Sequence, residues 1–299
     1  MKLRIALVIA LTAPASFVRA QPHVHLDEIN VQGRGTALVG EAISASEGLI
    51  GRVDLETRPM LRTGEILEAV PGMIVTQHSG TGKANQYFLR GFNLDHGTDF
   101  ATWMDGMPVN IVSHGHGQGY SDLNFIIPEL VDTISYLKGS YYAQVGDFSS
   151  AGSAIISTAD QLSRGMLTAE IGEDNYYRAL LANSNEFGQG ELLYGIESVS
   201  NDGPWDVDED LKKINGLFKY SGSASDSSRF SVTFMGYDSS WNSADQVPER
   251  AVETGFITPF GSIDDTVGGE SSRYSLSGEW TQDGAESYTT ASAYSIYYD

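Results

Sequence analysis

Cysteine is absent from the 299-residue sequence, which excludes disulfides and thiolate metal sites and leaves oxygen and imidazole as the available ligand types. Basic residues are scarce, 18 Lys and Arg against 39 Asp and Glu, for a formal net charge of −21. No basic patch exists that would neutralise phosphates, so nucleic acid is excluded as a partner. Long apolar runs are also missing. Beyond the N-terminus no window offers ~18 uninterrupted apolar residues, so a helical membrane span is excluded there. A strand-built barrel is not, because its alternating strands leave a weak hydropathy signal, compatible with 41% hydrophobic residues, 33 Gly and 15 Tyr.

The N-terminus has its own pattern. Lys2 and Arg4 precede an uncharged stretch at 5–18, and Val18 and Ala20 then stand before Gln21 in the spacing of a signal-peptidase site. At about 14 residues, broken by Pro14, the stretch is too short to cross ~30 Å of hydrocarbon, so residues 1–20 read as a cleaved signal peptide and the chain as exported. Cleavage removes Lys2, Arg4 and Arg19 and no acid, leaving the chain three charges more negative.

Residues 21–60 are glycine-rich with little periodicity and read as an extended periplasmic arm. Within it Leu26-Asp27-Glu28-Ile29-Asn30-Val31 alternates apolar and polar, as either a strand that adds to a sheet edge in another protein or an ordinary disordered terminus. Residues 61–160 read as one small α+β domain. A short helix over 65–69 stops at Pro71-Gly72, and strands follow at 73–75, 86–92 and 100–104. Asp105-Gly106 marks a tight turn, Pro128 and Glu129 open a short helix, and 133–137 forms a strand running into Lys138-Gly139.

From 161 to 299 the texture changes to alternating strands: 166–172, 176–182, 191–198, 214–221, 229–237, 273–281 and 288–297. Short polar turns join the second to the third, the fourth to the fifth and the sixth to the seventh, whereas 199–213 and 238–272 are long, acidic and Trp-bearing. A soluble β-sandwich offers such strands too. The asymmetry of short turns and long loops favours an antiparallel transmembrane β-barrel. Phe230, Val232 and Phe234 share one face of the fifth strand, and Tyr288, Tyr294 and Tyr298 one face of the last; both sets are expected to meet lipid. Seven strands do not close around a domain of this size, which needs about 22, so the sequence is expected to be the N-terminal part of a longer protein.

Four groups of residues, in order and spacing, resemble the plug of TonB-dependent outer-membrane receptors. They are Leu67-Glu68-Ala69-Val70-Pro71-Gly72-Met73, Leu89-Arg90-Gly91-Phe92, Met104-Asp105-Gly106-Met107-Pro108-Val109-Asn110 and Leu137-Lys138-Gly139. Gly146 and Ser150-Ala151-Gly152-Ser153-Ala154-Ile155-Ile156 resemble the closing plug segment. The sequence departs from the family at Ser140, where Pro is common, and at Ala151, where a Gly pair is common.

The resemblance implies a plug followed by the start of a barrel in the outer membrane. Its partners would be the TonB energy-transducing protein, outer-membrane lipid and a small-molecule or metal-chelate ligand. It makes 26–31 the TonB box. It implies active import of a scarce ligand by plug rearrangement, with a receptor that signals through a periplasmic partner, or a barrel enzyme, as alternatives. It also makes Pro71, Gly72, Arg90, Gly91, Asp105, Gly106, Pro108, Lys138 and Gly139 structural, with Arg90 held in the interior by barrel-wall carboxylates.

Ser113-His114-Gly115-His116-Gly117-Gln118-Gly119-Tyr120 falls, by the same resemblance, where family members touch their ligands, and Gln77-His78-Ser79-Gly80-Thr81-Gly82-Lys83 resembles the other apical loop. His78, Ser79, Lys83, His114, His116, Gln118 and Tyr120 are therefore the candidate ligand contacts. His114 and His116, two residues apart on a glycine-rich loop, are candidate ligands of Zn²⁺ or Cu²⁺, with His78 or His96 as further donors. The alternatives are hydrogen bonding within the loop and contact with a wholly organic ligand. No resident cofactor is assigned; a metal ion or chelate enters only as transported ligand.

Enzyme signatures fail. Gly82-Lys83-Ala84 lacks the rest of a phosphate loop, there is no G-x-S-x-G or H-E-x-x-H, and Ser113 and His114 are too close in sequence to make a triad. The acids Asp202, Asp206, Asp208, Glu209 and Asp210 read as a solvated face.

Overall fold

In a computed structural model of the chain, residues 40–42, 44–77 and 80–299 are described. The signal peptide, the arm up to residue 39 with its 26–31 segment, and His78 and Ser79 lie outside the described residues.

The first domain is built on β1 (Glu41–Ala42), β2 (Glu47–Gly51), β3 (Met73–Thr76), β4 (Gln86–Leu89), β5 (Phe92–Leu94), β6 (Phe100–Met104), β7 (Met107–Pro108), β8 (Val131–Lys138) and β9 (Gly152–Thr158). One sheet has the order β1-β2-β8-β9-β6-β7, with β6 and β9 parallel, and a second has the order β3-β4-β5. Ile66, Leu67, Leu94, Ile126, Leu130 and Ile134 pack between these elements, none more than 1% exposed.

Residues 47–51, read from the sequence as part of the arm, pair with β8 inside this sheet and lead into α1 (Arg52–Glu56). Their Gly48 and Gly51 hide the strand from a periodicity reading. The expected helix at 65–69 is a 3₁₀ turn, Thr63–Ala69, whose first-turn Glu65 carboxylate accepts the Leu61 and Arg62 amides at 2.8 and 3.2 Å. It stops at Val70, which is extended at ψ 120°, because the residue before a proline is pushed out of the α region.

The single strand expected at 86–92 is a hairpin. Arg90 and Gly91 take φ 51° and 85°, a two-residue turn with both residues left-handed, and Leu89 pairs with Phe92 across it. Arg90, at the tip of this turn, donates to the Ala45 carbonyl at 3.1 Å and to Ser46 Oγ at 3.2 Å, and among the described residues no carboxylate of the seven wall strands pairs with it.

All seven expected wall strands are present, most of them longer than read: β10 (Met166–Ile171), β11 (Tyr177–Phe187), β12 (Gly190–Asn201), β13 (Leu211–Ser225), β14 (Ser228–Asn242), β15 (Gly268–Asp283) and β16 (Tyr288–Tyr298). They form one antiparallel meander in sequence order, an open sheet with β10 and β16 at its edges. Connections 202–210 and 243–267, the latter carrying the short α2 (Glu249–Glu253), lie at one end. At the other end the turns are short.

The register fixes the two faces. Leu181, Ile196, Ile214, Phe218, Val232, Phe234 and Leu276 point outward and are exposed, whereas Glu197, Asn215, Thr233 and Ser275 point inward and are no more than 2% exposed. Aromatics flank the apolar band at both ends, with Tyr274 beside Tyr297 and with Phe187, Tyr220 and Phe230 in contact. The inner face is mixed, since Leu180, Leu193, Leu217 and Met235 also point inward and are buried; the apolar outer face with aromatic borders is the pattern of a lipid-facing wall. Tyr288, Tyr294 and Tyr298 depart from expectation. Tyr297 pairs with outward Tyr274, so the other parity of β16 faces inward, and Tyr298 donates to the Asp122 carboxylate of the first domain at 3.4 Å. Alternation alone does not choose between the faces; register does. Among the described residues no helix is long and apolar enough to cross a membrane.

Candidate functional site

The first domain meets the inner wall through apolar packing, where Leu180, Leu193, Leu217 and Met235 join its core, and through charge. Arg178 on β11 grips Glu129 with two parallel bonds of 2.7 and 2.9 Å and reaches Glu197 at 2.7 Å and Glu170 at 3.2 Å. Lys213 and the Asn215 amide each approach the second Glu197 oxygen at 3.0 Å. Lys219 donates to the Thr158 carbonyl at 3.0 Å and pairs with Asp160 at 2.8 Å. Among the described residues, the arginine held by carboxylates is on the wall. Asp105 acts locally, its carboxylate accepting the Thr158 amide at 2.9 Å and the Thr158 hydroxyl at 2.6 Å, while Gly106 completes the left-handed turn at φ 76°. Lys138 donates to the Pro71 carbonyl at 3.2 Å, and the Pro108 carbonyl accepts from Arg273 at 3.3 Å.

Where the long loops lie, two segments of the first domain form an apex. The 80–83 segment is bound to the wall. Glu209 accepts the Thr81 amide at 2.9 Å and the Thr81 hydroxyl at 3.1 Å, Trp205 donates to the same carboxylate at 3.0 Å, and Lys83 pairs with Asp245 at 3.3 Å. Glu209 is 2% exposed, so it is a buried anchor and no part of the solvated acidic face that its neighbours suggested. Gly82, at φ 84°, lets the backbone lie against the Trp241 ring, where a Cβ would collide.

The second segment is the histidine loop. It is closed by the Ile111–Tyr120 bridge, and Asn110 staples its base, accepting the Thr102 amide at 2.7 Å while donating to the carbonyls of Gly97, Phe100 and Gly119 at 3.0–3.2 Å. Tyr120, expected to touch ligand, is buried, and its hydroxyl accepts the Ala84 amide at 2.9 Å. Burial and the neighbouring Asp122 push its pKa up, and burial raises Asp122 as well. Lys83 and His114 are partly exposed, and His116 and Gln118 exposed.

His114 and His116 do not face a common point. The His114 ring stacks on Tyr120 at 4.0 Å, and its Nδ1 accepts the His116 amide at 3.1 Å. Burial and the nearby His116 lower its pKa. His116 instead turns to Asp95 and His96, its Nε2 4.0 Å from an Asp95 oxygen and its ring 4.1 Å from that of His96. The stacking surface of Tyr120 takes His114 out of the pairing expected from spacing. Asp95, in a tight turn after β5, was not foreseen; its adjacency to His96 was the available signal.

Residues 40–153 match the TonB-dependent Receptor Plug Domain family. Over 186 residues the chain is 25% identical to the vitamin B12 transporter BtuB of Vibrio vulnificus (strain CMCP6), a match covering 62% of this chain and 29% of that protein. Among solved structures it resembles the unliganded ferric citrate transporter FecA, with 14% identity, a TM-score of 0.68 and coverage of 85% of this chain and 40% of that one. It also resembles the copper transporter OprC, with 16% identity, a TM-score of 0.64 and coverage of 85% and 37%. The chain thus spans less than half the length of each of these relatives. Residues 40–153 are thus matched by sequence to the plug of TonB-dependent receptors, and the plug with its seven-stranded sheet shares the fold of solved receptors of that kind.

Proposed function

We propose that this chain serves active import across the outer membrane, reached through the signal peptide at residues 1–20. Ligand lands on the long wall loops and the plug apex, and TonB, pairing with 26–31, pulls the plug into a new arrangement. The relatives are transporters and receptors rather than enzymes, named for vitamin B12, ferric citrate and copper. One observation carries the reading most directly: the apical plug segment is bonded to both long wall loops, Thr81 to Glu209 and Lys83 to Asp245. A ligand that shifts those loops acts on the plug without further linkage. The plug–wall boundary is mixed, with ion pairs such as Arg178–Glu129 beside apolar contacts of Leu180, Leu193, Leu217 and Met235, so a moving plug exchanges its polar bonds with water and gives up apolar burial as well.

The test is capture of the periplasmic domain of TonB by the full-length receptor in detergent. Ile29→Pro removes a backbone donor from the added strand and is expected to weaken capture by about tenfold or more. Equal capture by both forms would sink the TonB-box assignment.

A further inference from the structure

We propose that Asp95, His96 and His116 form a divalent-cation site at the plug apex, which gives the import reading, on which this rests, a cargo class: a borderline cation such as Zn²⁺, bare or carried in a chelate. One ligand atom from each of the three residues lies within 4.8 Å of the others. His96 Nε2 is 3.7 Å from one Asp95 oxygen and His116 Nε2 is 4.0 Å from the other.

The site is built around His96. This side chain is 2% exposed, and its Nδ1 lies 2.6 Å from the Ala84 carbonyl. Donation there puts the proton on Nδ1 and the lone pair on Nε2, the nitrogen beside Asp95, an arrangement typical of metal-bound imidazoles. The backbone is strained in the same place. His96 takes φ 50° and ψ 33°, the left-handed region that is uncommon for residues other than glycine, and the turn it makes brings two sequence neighbours to one point.

The other two donors supply access. The Asp95 and His116 side chains are 58% and 48% exposed, and His116 sits between Gly115 and Gly117, whose surroundings are open. A tetrahedral site with metal–ligand bonds of ~2.0–2.1 Å needs donors about 3.3 Å apart, so a short inward movement of this loop closes the set. Two imidazoles and one carboxylate suit a borderline cation better than a hard one, and three protein donors leave a position for water or a chelator atom.

The fold does not need the ion. Ser121 N donates to the His96 carbonyl at 2.8 Å, Thr98 Oγ1 donates to the Gln118 carbonyl at 2.9 Å, and Asn110 ties both segments together. A half-open, incompletely coordinated site in a scaffold that is already bonded fits capture and release better than a structural ion.

The experiment is a calorimetric Zn²⁺ titration of the full-length receptor in detergent after chelator treatment. His23→Asn and His25→Asn are in the parent, so that the arm does not contribute. One Zn²⁺ per receptor is expected. Asp95→Asn and His116→Asn should each lower affinity about tenfold or more, and His114→Asn should leave it within about twofold. Heat-modified migration confirms that each variant is folded. His96→Ala adds little information, since burial makes it the variant most prone to misfold. The proposal falls if the parent binds no Zn²⁺, if Asp95→Asn and His116→Asn bind as the parent does, or if His114→Asn loses as much as His116→Asn. Binding of Zn²⁺ requires no TonB and capture of TonB requires no Zn²⁺, so this proposal and the import reading fail separately.

Discussion

The plug core is apolar, whereas the wall buries polar and apolar side chains side by side. In the plug, Ile66, Leu94, Leu130 and Ile134 are hidden, as in any water-soluble domain. In the wall the hidden face mixes Glu197, Asn215, Thr233 and Ser275 with Leu193, Leu217 and Met235, and Phe218, Phe234 and Leu276 are left outside. Each region satisfies the solvent it meets. The plug excludes water from its own core, while the wall offers apolar surface to lipid and a mixed surface to the plug. Where they touch, charge pairs stand beside an apolar cluster in which Leu180, Leu193, Leu217 and Met235 of the wall join the plug core, so the boundary is held by directional bonds as well as by apolar burial. Such a boundary is stable only while every buried charge keeps its partner.

Arg178→Ala tests that dependence and should have the largest effect. It leaves Glu197, 2% exposed, and Glu129 without the guanidinium that separates them, and is expected to cost about 3–5 kcal/mol. Thermal unfolding of the full-length receptor, with proteolysis of the plug as a second readout, measures it. A loss below about 1 kcal/mol would mean that the boundary does not rely on this pairing. Phe234→Arg, on the outer face, should cost somewhat less, about 2–4 kcal/mol if the side chain sits near the bilayer midplane. Refolding into lipid vesicles gives the number. A neutral result would mean that this face does not meet lipid.

The same contrast explains what the sequence made legible. The wall strands show because period-two alternation persists whichever solvent lies outside, yet their ends were read short. Ser239, Ser240 and Asn242 continue β14 with no apolar residue to mark them, apart from Trp241 on the inner face. Which face was which did not show for β16, since Tyr294 and Tyr297 are both aromatic and only pairing with β15 separates them. In the plug, Asp105-Gly106 announced its turn and Arg90-Gly91 did not, because arginine is rare at a left-handed position. At the apex, the histidines drew attention by residue type. Asp95 and Glu209 did not, because a carboxylate that anchors a loop or faces an imidazole is indistinguishable in sequence from one in water.

The smallest expected effect belongs to the other arginine. Arg90 and Arg178 both stand within apolar runs, Leu89-Arg90-Gly91-Phe92 and Tyr177-Arg178-Ala179-Leu180, and composition gives no reason to treat them differently. Their surroundings do. Arg178 lies on a wall face pressed against the plug and contacts three carboxylates, whereas Arg90 caps a hairpin and, among the described residues, holds the Ala45 carbonyl and the Ser46 hydroxyl. With these two bonds as its partners, Arg90→Ala should change the stability of the full-length receptor by no more than about 0.5 kcal/mol, since neither partner is left charged and water replaces both bonds. Arg90 keeps a left-handed backbone at φ 51°, where alanine is little worse than arginine, so turn geometry adds no hidden cost. Both variants belong in the same unfolding experiment. A loss of several kcal/mol at Arg90 would mean that carboxylates of wall strands beyond the seven described hold it; a loss confined to Arg178 would leave the ionic anchor with Arg178.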